Sequence, residues 1–292
     1  MHTKIKTGEY APTVMACSLD QICVKIVSAP SVQDFRKMIS VFMLNTWSDA
    51  IETEFSDDKI DKCIDNLFKG NILPTGKEII NITWSVSGIN MIDTTHLIRH
   101  RLFSFSAQTH ADRDMRNDTF LIPPSILGSE KFLRRYADIC GLAHKLYMDM
   151  MDSGEVSCLD ARTIMPRNVE HFYIVRSCLG DIINFVKMRS DEQIQTQTDN
   201  IIAMQLWLEI LKLYPFLYPY VNFREPDKFY VEQCKQGMTN IFPPNGKNKL
   251  FTYLPSQFIH DRHRDDFIGG DLYKAIREDL LSQIDEIGKG NV

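Results

Sequence analysis

The sequence predicts a mixed architecture of strands and helices, of either the α/β or the α+β class. Runs of β-branched residues occur early in the chain, and long segments with apolar residues three and four positions apart follow them. The chain has 292 residues, of which 44% are apolar and 24% charged. This composition is typical of a globular protein with one large core or two modest ones.

The first half of the chain contains two predicted strands and one long predicted helix. Strands are predicted at 22–29, which reads ICVKIVSA, and at 79–87, which reads IINITWSVS. An amphipathic helix is predicted over 132–150, because its apolar residues recur at threes and fours. This helix is expected to end near Gly154, since glycine favours helix termination.

The second half of the chain also contains predicted strands and helices. A short strand is predicted over 170–177, followed by a helix that buries the apolar residues of 182–186. A second long helix is predicted over 191–213. It is expected to end before Pro215, because proline cannot continue a helix. The sequence therefore places long helices directly after strands.

The predicted domain organisation is one main domain and an extension. Residues 1–225 are expected to form the main domain. Residues 226–292 form a C-terminal extension rich in proline, glycine and aromatic residues, with a last helix near 271–287, which is expected to pack on the same domain.

The charge balance limits the classes of partner. With a net charge of −5, the chain lacks the basic excess of general nucleic-acid or membrane-surface binders. It also lacks the run of about 18 apolar residues that a membrane helix needs. We therefore expect a cytoplasmic protein that binds neither nucleic acid nor membrane, and that binds any anion locally.

The cysteines do not indicate a disulfide framework or a metal site. They are odd in number, scattered and without a CxxC pair, and they occupy positions 17, 23, 63, 140, 158, 178 and 234. We expect small core residues, and no metal ligands.

The tripeptide Arg99-His100-Arg101 is the strongest candidate for an anion site. Its two arginines lie about 200° apart on a helix but on the same side of an extended segment, so binding of one anion by both favours extended or helix-terminal backbone. The alternative is a solvated charged turn in which Asp112 and Asp114 neutralise the arginines. A second RHR, within DRHRDD at 261–266, is interpreted as surface.

The surroundings of the first RHR distinguish it from the second. RHR is followed by seven residues and then Thr109, which resembles the signature of the flavin-dependent thymidylate synthases, where a serine follows at this spacing. The preceding segment, 74–101, resembles that family's strand and helix leading into the motif. The segment 161–197 is similar to a third family segment, with matches at Arg162, Pro166, Asn184, Arg189 and Gln195. The resemblance covers roughly residues 70 to 220.

The resemblance implies an α+β fold with a central, mostly antiparallel sheet flanked by long helices. It implies FAD, reduced by NADPH, and methylenetetrahydrofolate as the donor of a one-carbon unit to C5 of dUMP. It also implies a homotetramer with active sites between subunits, and the apolar helix over 191–213 is expected to serve an interface.

The resemblance also assigns roles to individual residues. Arg189 would be catalytic, stabilising negative charge on the pyrimidine ring. The flavin would contact Arg99, His100, Arg101, Asn184 and Cys178, the last of these at the position of a family asparagine and interpreted as a packing residue rather than a nucleophile. The nucleotide would contact His96, Arg99, Thr109, His110, Arg162 and Arg189, with Arg162 on the phosphate.

The nucleotide-binding loop departs from the family pattern. The family places an acidic or amide residue at Ala107 and an arginine at Ala111. Loss of one charge-assisted hydrogen bond of this kind typically weakens binding by more than about tenfold. We expect altered substrate preference or weak dUMP binding, unless His110, Arg113 or Arg116 replaces the missing groups.

Three functions fit these residues. The first is C5-methylation of dUMP or a related pyrimidine nucleotide. The second is hydroxymethylation, in which the one-carbon unit is hydrated instead of reduced. The third is a flavin- or nucleotide-binding protein without catalysis, against which the presence of Arg162, Asn184 and Arg189 argues.

Overall fold

The computed structural model describes residues 14–109, 113–190, 196–224 and 270–290. Its strands are β1 (Val14–Cys17), β2 (Cys23–Ser28), β3 (Asn81–Asn90), β4 (Ser104–Ala107), β5 (Thr119–Ile122) and β6 (Glu170–Cys178). Its longer helices are α1 (Val32–Leu44), α2 (Asp57–Lys69), α3 (Met91–Leu97), α4 (Glu130–Ser153), α5 (Leu179–Arg189), α6 (Gln197–Leu213) and α7 (Gly270–Gly288). Single turns of helix lie at Ser18–Gln21, Pro124–Leu127 and Cys158–Ala161, and 3-10 turns at Asn45–Trp47, Pro74–Lys77, Arg162–Ile164 and Pro215–Tyr220.

The main sheet has four antiparallel strands in the order β2-β3-β6-β4. Alternate residues of β6 are buried, Tyr173 and Val175 among them, whereas Phe172 and Ile174 are exposed. This period of two places one face of the sheet on a helical layer and leaves the other face open. The predicted α+β fold, with a mostly antiparallel central sheet, is confirmed.

Helix α6 lies at the centre of the main core. It packs on β2, α5 and α7, and nearly all of its apolar residues are buried, with Ile201, Trp207 and Leu211 fully inaccessible. The expectation that this helix serves a subunit interface is therefore wrong for its apolar positions, because the chain's own core covers them. The predicted beginning at 191 is also revised: α6 begins at Gln197, where the Thr196 hydroxyl accepts a hydrogen bond from the Asp199 amide.

Helix α7 confirms the predicted last helix and belongs to the main core. Its residues Tyr273, Leu281 and Ile284 are buried, and the helix packs along α6. The second RHR at 261–266 and Cys234 lie outside the described residues.

A second, smaller core forms around a parallel pair of strands, β1 and β5. Helix α4 covers this pair and buries Ala137 and Tyr147 against Met15 and Phe120. The Tyr147 hydroxyl accepts a hydrogen bond from the Met115 amide, at 3.1 Å, so the polar end of this buried ring is satisfied. The helix predicted over 132–150 is thus confirmed.

Helix α4 also carries a second apolar stripe, which faces away from this core. It consists of Phe132, Ile139, Leu142 and Leu146, which are 45–66% exposed. Their spacing of seven, three and four residues places them on one side of the helix. We call these four residues the α4 stripe.

The aromatic run at 213–223 belongs to the main core. Tyr214 is fully buried against Phe35, with ring centroids 4.6 Å apart, and its hydroxyl donates to the Pro30 carbonyl. Helices α1 and α2, which supply the other side of this aromatic layer, were not predicted from the sequence.

Candidate active site

The RHR tripeptide lies in consecutive turns between α3 and β4. The Arg99 amide donates to the His96 carbonyl at 3.3 Å, and the His100 amide to the Leu97 carbonyl at 3.0 Å. The backbone is therefore helix-terminal, one of the two conformations that the sequence favours. Arg99 and Arg101 are exposed, whereas His100 is half-buried.

His100 packs between two aromatic rings. Its ring stacks on Phe103 at 5.4 Å and meets Phe185 edge-on at 4.8 Å. Burial, and then the positive charge of Arg189, lower the pKa of His100 to about 4. The imidazole is thus neutral at physiological pH, and its Nε2 accepts from the Arg189 guanidinium at 3.1 Å.

Arg189, the last residue of α5, is held in a buried polar network. Its Nη1 lies 3.3 Å from Asp199 Oδ2, and His96 Nδ1 lies 2.9 Å from the same oxygen. The side chain of Asp199 is 1% exposed, and its Oδ1 has no hydrogen-bond partner among the described residues. One buried carboxylate therefore orients both His96 and Arg189.

The network continues from Arg189 into the C-terminal helix. Asn200 is fully buried, and its Nδ2 donates to the Arg189 carbonyl at 3.0 Å. The Tyr273 hydroxyl, on α7, donates to Asn200 Oδ1 at the same distance. A residue of the extension thus fixes the backbone that carries Arg189. Sequence reasoning missed Asp199, Asn200 and Tyr273 as members of the site.

Asp93, in the first turn of α3, is a second buried carboxylate beside the network. Burial, with a further contribution from the charge of Asp199, raises the pKa of Asp93 to about 6. Its carboxylate accepts a hydrogen bond from the Asn90 amide, and the Asn90 side chain caps α3 in return.

The raised pKa of Asp93 makes stability pH-dependent. The folded chain binds this proton more tightly than the unfolded chain, so the contribution of Asp93 to the free energy of unfolding is greatest below about pH 4. It falls as pH rises through about 6. We expect Asp93→Asn, which retains an acceptor for the cap, to stabilise the protein at pH 7.5 and to have little effect at pH 4. Denaturant unfolding at the two pH values tests this.

Asp49→Asn, at an exposed turn position, is the matched control and should change stability equally little at both pH values. A loss of stability in Asp93→Asn at pH 7.5 would contradict the expectation, and would mean that the carboxylate is needed in its charged form.

Arg162 lies in a separate cleft at the opposite end of α3. The cleft has a volume of about 350 Å³ and is lined by Met91, Met115, Arg162, Thr163, Met165, Pro166, Arg167 and Val169. The Met91 amide, at the beginning of α3, donates to the Arg167 carbonyl at 3.1 Å. Since seven helical residues span about 9 Å from first to last, α3 separates this cleft from the His96 end of the network.

A model of the family described as thymidylate synthase complementing protein matches residues 31–216. The chain belongs to this family. Two curated relatives are flavin-dependent thymidylate synthases. The one from Pyrococcus furiosus is 27% identical over 157 residues, which cover 51% of this chain and 62% of the relative. The one from Pyrococcus abyssi is 26% identical over 180 residues, which cover 57% and 73%.

A solved structure supports the fold. The UMP/dUMP methylase PolB from Streptomyces cacaoi superposes with a TM-score of 0.54 at 17% identity, covering 66% of this chain and 91% of that chain. The family fold is thus present, with β3 and α3 leading into the RHR turn as the resemblance implies.

Cys178, which ends β6 and immediately precedes α5, occupies the position of a family asparagine. Cys178 donates its thiol to Asp181 at 3.0 Å, and burial together with Asp181 raises the pKa of Cys178 to about 11. A thiol in this state is a poor nucleophile, in agreement with the packing interpretation. Beside it, a Cβ on Gly180 would lie 3.3 Å from the Lys77 Cβ, so Lys77 closes the space next to this glycine. Asn184, one helical turn further on, is exposed.

The nucleotide-binding loop of the family is only partly described here. Ala107 ends β4, and Ala107 and Thr109 are exposed, whereas His110, Ala111 and Asp112 lie outside the described residues, as does Gln195. Arg113 forms a bidentate ion pair with Asp118, its Nη2 2.7 Å from Oδ2. Arg116 pairs with Asp114 at 3.1 Å and with Asp152 at 2.7 Å. Carboxylates thus neutralise both arginines, and neither is available to replace the arginine absent at Ala111 without breaking its ion pairs.

The described residues contain no group of three or more His, Cys, Asp or Glu side chains arranged to hold a metal ion. None of the helices in these residues combines the length and apolar character needed to cross a membrane.

Proposed function

We propose that this protein methylates C5 of a pyrimidine nucleotide, dUMP or a close relative, with FAD as cofactor. The donor of the one-carbon unit is methylenetetrahydrofolate, and NADPH is the reductant. The observation that carries the proposal is the contact between the RHR turn and the buried Arg189 network, in a chain of the thymidylate synthase complementing family. The names of the two Pyrococcus relatives, and the UMP/dUMP methylase activity in the name of PolB, support it.

The side chains around the RHR turn fit the chemistry of FAD. Arg99 and Arg101 are exposed and form no ion pair within the described part of the chain, so their guanidinium groups are available to an anionic cofactor. The exposed amide of Asn184 offers both a donor and an acceptor. We assign FAD to Arg99, His100, Arg101 and Asn184. When bound and reduced, FAD would supply the hydride that reduces the one-carbon unit.

The nucleotide is assigned to groups at both ends of α3, which an active site between two subunits would bring together. Arg162 holds the phosphate, while His96 and Arg99 border the nucleotide, together with Thr109 and His110. Arg189 hydrogen-bonds the pyrimidine edge and stabilises negative charge on the ring. A guanidinium that is already oriented and shielded from water is well suited to this role, since it needs no reorganisation during the reaction.

The assembly proposed is a homotetramer with active sites between subunits. The α4 stripe supports association of this chain with further copies, because four large apolar side chains on one exposed helix face are costly to leave in water.

The test is reconstitution of the protein with FAD. We expect the protein to bind FAD with an increase in thermal stability, and Arg101→Ala to weaken this binding while Arg134→Ala, at an exposed position of α4, does not. Reaction of the loaded protein with NADPH, methylenetetrahydrofolate and dUMP, UMP or dCMP then identifies the substrate. Product mass distinguishes a methyl from a hydroxymethyl group.

The outcomes separate the candidate functions. A hydroxymethylated product would assign the second reaction, and FAD binding without any product would assign a protein that has lost catalysis. Absence of FAD binding and of thermal stabilisation at high FAD concentration would overturn the proposal.

A further inference from the structure

The cleft at the beginning of α3 holds two guanidinium groups. Arg162 and Arg167 both line it, and neither forms an ion pair with any described residue. Arg162 donates its Nε to the Leu159 carbonyl at 3.2 Å, which leaves its terminal nitrogens for a ligand. Arg113 and Arg116, on the loop before β5, differ from these two arginines because each has a carboxylate partner.

The backbone that carries Arg167 is fixed on both sides. Its carbonyl accepts the Met91 amide at 3.1 Å, and Pro166 restricts the preceding backbone. The next residue, Asn168, is buried and donates to the Leu121 carbonyl at 3.1 Å. The Cα of Arg167 is thus held in place, and binding of a ligand by this residue orders only its side chain.

The remainder of the lining is mainly apolar, with Met91, Met115, Met165 and Val169. None of the described residues that line the cleft carries a carboxylate. Two guanidinium groups in an apolar cleft favour a dianion with several acceptor oxygens, since each guanidinium can donate two parallel hydrogen bonds. A phosphate monoester meets this requirement.

We propose that Arg167 acts together with Arg162 to bind the phosphate of the nucleotide, and so supplies the second guanidinium that the loop lacks at Ala111. The proposal rests on the proposed function and identifies the substrate class as nucleoside monophosphates. It gives a second phosphate-binding group to a chain whose loop has alanine where the family has arginine. Arg167 is a specificity-determining residue in this scheme and has no part in the chemical step.

The experiment compares dUMP binding by the wild type, Arg167→Gln and Arg167→Lys, all loaded with FAD. We expect Arg167→Gln to weaken dUMP binding by about tenfold to a hundredfold, as loss of a charged hydrogen-bonding group does. The dUMP affinity of Arg167→Lys should lie between those of the wild type and Arg167→Gln, because lysine keeps the charge and loses the bidentate geometry. Inorganic phosphate should compete with dUMP less effectively for Arg167→Gln than for the wild type. Arg134→Gln is the matched control: it replaces an exposed arginine outside the cleft and should leave the dUMP affinity unchanged.

A double variant tests directly whether Arg167 replaces the arginine that is absent at Ala111. Arg167→Gln combined with Ala111→Arg restores an arginine at the family position and should recover most of the dUMP affinity. The FAD affinity and the midpoint of thermal unfolding should stay constant through the series, which separates loss of a phosphate contact from loss of structure.

Three results would overturn the inference. The first is that Arg167→Gln binds dUMP and phosphate as tightly as a wild type that binds both FAD and dUMP. This result would leave the proposed function intact. The second is weaker binding accompanied by equal loss of FAD affinity and of stability, which would assign Arg167 a structural role. The third is a wild type that binds none of dUMP, UMP and dCMP, in which case the proposed function fails as well.

Discussion

Replacement of Arg189 with alanine is expected to lower the single-turnover rate of nucleotide methylation by about 10²–10³-fold, the usual cost of removing one preorganised group that stabilises charge in the transition state. Under the proposed function, Arg189 faces the pyrimidine ring as negative charge develops there. Its guanidinium is held by Asp199 Oδ2 at 3.3 Å and by His100 Nε2 at 3.1 Å, so little reorganisation accompanies the reaction. The dUMP affinity should change much less than the rate, because this interaction strengthens in the transition state.

Removal of Arg189 also leaves Asp199 buried with fewer partners, and a loss of stability could imitate a loss of chemistry. The double variant Arg189→Ala/Asp199→Asn removes the uncompensated charge. We expect it to regain stability relative to Arg189→Ala and to remain as slow. Recovery of the rate in the double variant would show that Arg189 acts on structure alone. An unchanged rate in Arg189→Ala, with FAD and dUMP bound, would remove Arg189 from the mechanism.

Replacement of Asp199 with alanine is expected to lower the free energy of unfolding by about 3–5 kcal/mol, the usual cost of removing one partner of a buried ion pair. The variant leaves the guanidinium of Arg189, which is 11% exposed, without its carboxylate, and it frees the His96 ring to rotate. Urea unfolding at pH 7.5 measures the loss. We expect Asp199→Asn to be less destabilising, because the amide retains an acceptor oxygen.

The pKa of Asp93 gives an independent readout of the charge of Asp199. Since that charge helps to raise the pKa of Asp93, Asp199→Asn should lower it from about 6. The pH dependence of stability should move to lower pH accordingly. A loss of less than about 1 kcal/mol in the free energy of unfolding of Asp199→Ala would show that water or another group compensates Arg189. An unchanged pH dependence in Asp199→Asn would show that the charge of Asp199 does not act on Asp93.

Sequence reasoning was most successful where the signal is local. The strand-favouring residues of 79–87 and 170–177 and the helical spacing in 132–150 predicted β3, β6 and α4, since residue type and periodicity are local signals of strand and helix. The spacing of RHR and Thr109 then indicated the family, and the tripeptide follows a helix, one of the two backbone conformations predicted for it.

The partners of Arg189 could not be predicted in the same way. Asp199 reads in the sequence as an ordinary acidic residue in the first turn of a helix, and Tyr273 as a core aromatic 73 residues beyond Asn200. Their role depends on the packing of α6 and α7, which no local pattern specifies. The only available signal was Thr196-x-x-Asp199, which marks the beginning of a helix. For the same reason the apolar character of α6 was misread: a helix that is apolar on all sides is a buried helix in a soluble fold.

The packing of α7 on α6 also means that the family match and the main hydrophobic core have different boundaries. The family match ends at residue 216, yet Tyr273, Leu281 and Ile284 complete the core that this match encloses. The sequence of α7 therefore contributes to the stability of that core, although it lies outside the family match. Substitutions there reach the candidate active site through Asn200 and the backbone of Arg189, although they lie far from every family motif.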